Sequence, residues 1–494
     1  MPPPESPLPA VTGKEDFPDR LEKGGLRVYL KQGNVCDSVI CGGGPAEKMK
    51  TKDTCGEKRF FLVSLGCPKN LVDSEIISGN LLSSGWTLTG DPEDASLFVI
   101  NTCAFIPSAR QEAAEEIASA EAWKSAAPGR RIMVSGCLTR YDPRIRETYP
   151  CVDFWTGPDD VARISEVLSG GAPAPACTYC HDEKTPMLQL TLPHVAYLKI
   201  ADGCGNRCAY CIIPRLRGAL RSRPAASVLC EARTLVSNGV KEIVLVAQDT
   251  TVYGSDRPES GETLAGLLAQ MDRIDGDFRI RLLYTHPAHY TSELIDVLSS
   301  SEKVYPYLDI PLQHISDRIL SAMNRHISAD GIKTLLGKLR ARIPGLVLRT
   351  TFITGLPGET EEEFQELEDF VREQKFERMG VFPYAAEPGS RAAAMPDQIP
   401  TAVAEARAAK LMKAQQARMK RLCGRLAGTE MRVLVDQVEN GVAVARGVWD
   451  APDIDNVILI PHVGKSSAGS WQLVRVVGRQ GCDLVAERIR KGAK

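Results

Sequence analysis

Two successive runs of alternating strand-like and helix-like segments constrain this chain more than any other feature. The first run has extended apolar segments at Phe60–Leu65, Leu97–Ile100 and Ile132–Val134, with helical spacing over Asn70–Ser84 and Ser108–Trp123 between them. That alternation predicts a small, parallel, doubly wound α/β domain. It ends near Leu168, before the linker-like stretch SGGAPAPACTYCHDEKTP. The second run begins at His194–Ile200 and continues through Glu242–Ala247, Arg279–Tyr284, Tyr307–Ile310, Leu346–Ile353 and Gly380–Tyr384. Six strand–helix units predict a partial (βα)6 barrel with its chemistry at the C-terminal strand ends. The clearest helix is Glu361–Gln374. There Phe364, Leu367, Phe370 and Val371 form one stripe, and Thr360 with Glu363 spells a capping box.

Both ends of the chain read differently. Residues 1–56 are rich in Pro, Gly and Lys and lack periodicity apart from an apolar patch at Leu26–Leu30, which predicts a poorly ordered extension. The α/β domain then spans 57–170, a linker 171–192, the barrel 193–400 and a connecting helix 401–429. From Met431 the text is β-branched and alternating, with Asn440-Gly441 as a hairpin turn, so residues 430–494 should form a small antiparallel β-barrel. Its first half carries Glu430, Asp436, Glu439, Asp450, Asp453 and Asp455 against Arg432 and Arg446, and its second half reverses the balance. An acidic face there would suit a basic protein partner.

Composition matters chiefly through cysteine. The net charge of −2, from 60 basic and 62 acidic side chains, gives no global pull toward nucleic acid, and no DNA partner is expected. No apolar run approaches the roughly 18 residues of a membrane span. The N-terminal stretch lacks a basic start and an apolar segment, so a cytoplasmic protein is expected. In a reducing compartment, 15 cysteines point to metal binding or catalysis more than to disulfides.

Six of them form two trios. Cys204, Cys208 and Cys211 lie within eight residues, just after the first barrel strand, on a loop carrying Gly203 and Gly205. Three thiolates so placed can wrap one face of a cubane iron–sulfur cluster, leaving one iron without a protein thiolate. A zinc knuckle competes, but wants a fourth ligand close by. Cys67, Cys103 and Cys137 each follow a predicted strand of the first domain, and such ends converge on one sheet edge. A second cluster fits them. Three separately buried cysteines fit them too, and the residues alone leave both readings open.

The remaining candidates are weaker. Gly355, Gly358 and Glu359 form a turn between a strand and a capped helix, where glycine permits close approach of a ligand. A plain turn explains them equally. Gln248, Asp249 and Thr250 end the second barrel strand, while Gln313 and His314 end the fourth and receive no catalytic role. Cys177-Thr-Tyr-Cys180-His181 spells a c-type haem attachment pattern, which belongs to exported proteins. Linker thiols or a surface zinc site are expected instead. Cys36, Cys41 and Cys55 read as exposed thiols.

The segments SLGCPKNLVDSE, NTCAFI, SGCLTRY, CGNRCAYC with IIPRLRG, AQDTTVYG, PYLDIPLQH and TFITGLPGETEEEF occur in one order. Together, over roughly residues 60–490, they resemble the radical S-adenosylmethionine (SAM) methylthiotransferases. The resemblance is strongest to the branch that modifies an aspartate of the decoding-centre ribosomal protein. It departs only at Ala104, where relatives often have Gly. It implies two [4Fe-4S] clusters, one on Cys204, Cys208 and Cys211 and an auxiliary one on Cys67, Cys103 and Cys137. It also implies a C-terminal TRAM domain and SAM bordered by Tyr210, Gln248, Asp249, Gly355, Gly358 and Glu359. The implied partners are the small-subunit ribosomal protein and an electron donor such as flavodoxin or ferredoxin. A tRNA-adenosine methylthiotransferase, a two-cluster electron carrier and an RNA-binding protein remain as alternatives.

Overall fold

The computed structural model describes residues 28–29, 39–40, 58–142, 144–171, 181–461 and 468–489. The expectations for Cys36, Cys41, Cys55, Cys177 and Cys180, and most of those for residues 1–56, lie outside the described residues.

The first sheet runs Arg59–Ser64, Leu97–Thr102, Arg131–Gly136 and Phe154–Trp155, all parallel, with Thr87–Leu88 parallel on the other edge of the first strand. Val28–Tyr29 pairs antiparallel along that same strand. Winding therefore reverses between Arg59–Ser64 and Leu97–Thr102, which makes the space beyond their C-terminal ends the switch point of the sheet. Both faces are covered, so the strands read as continuous apolar runs. Phe60, Leu62, Leu97 and Val99 pack under the helix Pro68–Ser83, and Phe61, Val63, Phe98 and Ile100 under Pro107–Ala126.

The six predicted barrel strands are all present. Val195–Lys199, Glu242–Val246, Arg279–Leu282, Val304–Asp309, Val347–Thr354 and Arg378–Pro383 lie parallel in chain order. Thr360 and Glu363 form the expected capping box. The inward-facing Tyr197, Val244, Tyr307 and Val347 join one buried cluster with Leu71 and Ile76 of the first domain and Leu434 and Ala451 of the last. The domains share a core.

Part of the predicted linker belongs to that core as well. Met187–Leu188 pairs with Val39–Ile40, and Leu190 N donates to Glu75 Oε1 at 2.9 Å. Pro186 lies so close to the helix Pro68–Ser83 that a Cβ on Gly79 would stand 2.3 Å from its carbonyl oxygen. Buried Met187, Leu188 and Leu190 give this half something to pack, which the Pro- and Gly-rich first half obscured.

The long helix Thr401–Arg425 leads to a closed barrel of Glu430–Glu439, Val442–Arg446, Ile458–Pro461, Asp483–Arg488 and Trp471–Gln480. Asn440 and Gly441 take φ of 50° and 79°, as the hairpin requires. One pair, Ile458–Pro461 with Asp483–Arg488, is parallel, so the barrel is not wholly antiparallel. The expected acidic face is overturned. Asp450 pairs with Arg378 at 2.5 Å, Asp455 accepts from Tyr307 Oη at 2.5 Å, and Asp453 accepts from Tyr197 Oη at 3.0 Å. Asp436 takes Arg446 at 2.5 Å and His194 at 3.1 Å. Asp450, Asp453 and Asp455 dock the last domain onto Arg378 and two phenols of the (βα) barrel, while Asp436 joins Arg446 of its own barrel to His194. No helix among the described residues is long and apolar enough to cross a membrane.

Candidate functional site

The dispersed trio is assembled by topology. Cys67 precedes the helix Pro68–Ser83, Cys137 precedes Leu138–Tyr141, and Cys103 follows Leu97–Thr102, so all three stand at the switch-point edge. Gly66 and Gly136 turn the strand ends with φ of 97° and 93°. Neither tolerates a side chain: a Cβ would lie 2.5 Å from Cys103 Cβ in the first case and 2.5 Å from Thr102 O in the second. Behind them Asn70 Nδ2 donates to Leu65 O at 2.6 Å, Asn101 Nδ2 to Asn70 O at 2.8 Å, and Ser74 Oγ to Ser64 Oγ at 2.7 Å. Burial, then the neighbouring Cys137 and Cys67, push the Cys103 thiol up to about 12.

The contiguous trio is a single loop. Gly203, at φ 76°, brings it so close to Ala219 that a Cβ would stand 1.9 Å from the Ala219 carbonyl oxygen. Asn324 Nδ2 holds the backbone through Asn206 O at 3.0 Å and Arg207 O at 3.2 Å. Arg325 Nη1 donates to Cys208 Sγ at 3.3 Å and to Tyr210 Oη at 3.2 Å. Burial pushes Cys204 up to about 11 and Cys211 up to about 12.

The ten described cysteines are all free thiols. Three soft sulfur donors at each trio, with an arginine N–H aimed at one sulfur of each, fit a cubane cluster.

The other predicted residues divide. Asp249 accepts from Asn206 Nδ2 at 2.7 Å and His289 Nδ1 at 2.9 Å, which fixes it beside the cysteine loop. Gln248 Nε2 donates to Asp202 Oδ1 at 2.8 Å, and Thr250 Oγ1 to Leu283 O at 2.9 Å. Glu359 turns inward: its carboxylate takes Gly355 N at 2.8 Å and Arg407 Nη1 at 2.7 Å. Gly355 packs on the long helix, where a Cβ would meet Ala404 Cβ at 2.3 Å, while Gly358 lies beside the Arg318 guanidinium. His314 Nε2 lies 3.7 Å from Glu359, and burial pushes this imidazole down to about 4. Gln313 holds an unusual φ of 73°.

Sequence reasoning missed a buried ionic group joining the two trios. Arg217, 3% exposed, donates through Nε to Cys137 Sγ at 3.2 Å, through Nη1 to Asp73 at 2.6 Å and Asp202 at 3.3 Å, and through Nη2 to Asn70 at 3.0 Å. Lys199 Nζ completes it, 2.5 Å from Asp73 and 3.4 Å from Asp202. Asn70 and Asp73 stand three apart on the helix after Cys67, on one face, and this was the available signal. Beside them Lys69 lies over the Tyr284 ring, 3.2 Å from its centroid.

Three family models match the chain: the uncharacterized protein family UPF0004 over residues 59–157, the radical SAM superfamily over 198–371 and the TRAM domain over 427–489. The ribosomal protein uS12 methylthiotransferase RimO of Akkermansia muciniphila is 43% identical over 460 residues, covering 86% of this chain and 99% of that protein. That of Myxococcus xanthus is 40% identical over 448 residues, covering 89% and 93%. The Geobacter sulfurreducens protein is 41% identical over 444 residues, covering 88% and 99%. Relatives this similar along nearly their whole lengths carry the conclusion that the chain belongs to the RimO family of radical SAM methylthiotransferases.

Proposed function

We propose that this chain adds a methylthio group to the β-carbon of an aspartate of ribosomal protein uS12, using SAM and two [4Fe-4S] clusters. The observation that carries the reading is the pair of cysteine trios, one at each sheet edge, tied together by Arg217. An aliphatic C–H is too weak an acid for any side-chain base, so acid–base residues alone cannot perform this substitution. When bound, the clusters and SAM supply single-electron C–H activation and the transferred methylthio sulfur.

The chain's own work is placement and exclusion of water. Cys204, Cys208 and Cys211 would hold the SAM-facing cluster, and Cys67, Cys103 and Cys137 the auxiliary one. Arg325 fixes Tyr210 against the first trio, and Asn206 with His289 orients Asp249, so that both side chains would be held in place to border SAM when it binds. Gln248 reaches the same region through Asp202. Glu359 acts by pinning the Gly355–Gly358 turn rather than by offering a free carboxylate. Flavodoxin or ferredoxin supplies electrons, and a ribosomal substrate agrees with a cytoplasmic location.

The test is mass spectrometry of uS12 from cells with and without this chain. The methylthio increment on one aspartate should vanish in its absence and return with the parent gene. It should not return with Cys67→Ala/Cys103→Ala/Cys137→Ala, although that protein should still cleave SAM reductively to 5′-deoxyadenosine in vitro. An unchanged uS12, with a methylthio group missing from tRNA adenosine instead, would transfer the assignment to the tRNA-modifying branch.

A further inference from the structure

Arg217 lies in the barrel domain, six residues beyond Cys211, yet its Nε–H points at a sulfur of the first domain. All its contacts are made in a buried setting: Cys137 Sγ at 3.2 Å, Asp73 at 2.6 Å, Asp202 at 3.3 Å and Asn70 at 3.0 Å. Asp202 immediately precedes Gly203 and Cys204, and its other oxygen accepts from Gln248 and from Gly203 N. One guanidinium thus touches a thiol of one trio and the residue that opens the loop of the other. The group is balanced, with Arg217 and Lys199 against Asp73 and Asp202.

We propose that Arg217 is a positioning residue that raises the reduction potential of the cluster held by Cys67, Cys103 and Cys137, by donating to Cys137 Sγ from across the domain boundary. The proposal rests on the ligand assignment above. An N–H donated to a ligating sulfur withdraws charge from it and stabilises the added electron of the reduced cluster. Charge acts in the same direction. Without the guanidinium, one of the two carboxylates loses its counterion close to the cluster, and the reduced state becomes harder to reach. Arg325 makes the corresponding contact to Cys208, but within its own domain. Arg217, reaching its sulfur across the boundary, makes the electronic state of one site depend on how the two domains are docked.

The experiment uses the full chain with Cys204→Ala/Cys208→Ala/Cys211→Ala, so that a single cluster is present, reconstituted without oxygen and titrated potentiometrically with the reduced cluster followed by electron paramagnetic resonance. With about four iron bound, adding Arg217→Gln should lower the reduced-to-oxidised ratio at a fixed poise by on the order of tenfold, ~59 mV for a one-electron couple. Arg217→Lys keeps the positive charge but lacks the guanidinium N–H, and its midpoint should fall between the two. If Arg217→Gln fails to hold a cluster, Arg217→Lys decides. A Lys variant with full iron and the parent midpoint overturns the proposal. Absence of iron already in the Cys204→Ala/Cys208→Ala/Cys211→Ala background overturns the ligand assignment, and the tuning with it.

Discussion

The two cysteine trios solve one chemical problem by opposite routes. Cys204, Cys208 and Cys211 share one loop, held by the Gly203 turn and by Asn324 and Arg325. Cys67, Cys103 and Cys137 are drawn from three strand ends and meet only because the sheet reverses its winding between Arg59–Ser64 and Leu97–Thr102. A contiguous site needs a local turn. A dispersed site needs every strand register, two left-handed glycines and the Asn70–Asn101–Ser74 lattice behind them. The difference teaches where each is fragile: packing defects far from the sulfurs should damage the dispersed trio first.

The largest expected effect separates the two outright. The reconstituted parent should bind about eight iron, and Cys103→Ala and Cys204→Ala should each remove about half, measured as iron per folded chain. Loss of all iron from either change alone would break the two-site comparison. Next is Asp73→Ala, which leaves the buried Arg217 and Lys199 with Asp202 as their shared carboxylate. Removing one partner of such a group should cost about 3–5 kcal/mol. Denaturant unfolding reads the cost, and the iron lost with it should come from the first-domain half. Equal loss from a Cys67→Ala/Cys103→Ala/Cys137→Ala background would show that the network supports the barrel loop instead.

The same contrast explains what was legible in the sequence. The barrel trio is readable because ligand spacing and loop are the same eight residues. The other trio is visible only once a doubly wound order is assumed, since the residues between Cys67, Cys103 and Cys137 carry helices and not ligands. All six barrel strands could be read from apolar runs bounded by turns. The acidic half of the C-terminal domain could not, because charge counting says nothing of direction: Asp450 is 2% exposed and faces Arg378. Arg217 was hidden for a related reason. Its partners come from residues 70, 73, 137 and 202, and only tertiary structure gathers them.

A pair of glycines sharpens the comparison at smaller scale. Gly136 holds φ 93° with no room for a Cβ, whereas nothing lies within 4 Å of a Cβ at Gly205 in the barrel loop. Gly136→Ala should cost on the order of 1–3 kcal/mol and lower first-domain iron. Gly205→Ala should stay within about 0.5 kcal/mol of the parent. Calorimetry and iron content of the two variants, side by side, check this. A tolerant Gly136 would mean that the dispersed site relaxes as easily as the loop.

The comparison can also be sharpened by pH, through Glu75 on the helix that begins after Cys67. Burial pushes its carboxyl up to about 8, against the hydrogen bond that it accepts from Leu190 N. An unfolded Glu titrates near ~4.3. Between those values the folded chain holds a proton that the unfolded chain has released, so this group's contribution to stability falls as pH rises through the window. Glu75→Gln retains the acceptor for Leu190 and cannot ionise. Its melting temperature should therefore gain on the parent's as pH rises from about 5 toward 8.5, with the two converging at the acid end. The barrel loop is anchored in the opposite way. Asp249 is held below the usual carboxylate range, against its burial, by hydrogen bonds from His289, Thr251 and Asn206, so it stays ionised across the same window. Raising the pH should then loosen the helix behind Cys67 while leaving the barrel loop firm, and amide exchange over 68–83 and 187–190 should quicken more than exchange over 203–213. A melting-temperature gap that stays constant with pH would mean that Glu75 is ionised in the folded chain, and that the two sites respond to pH alike.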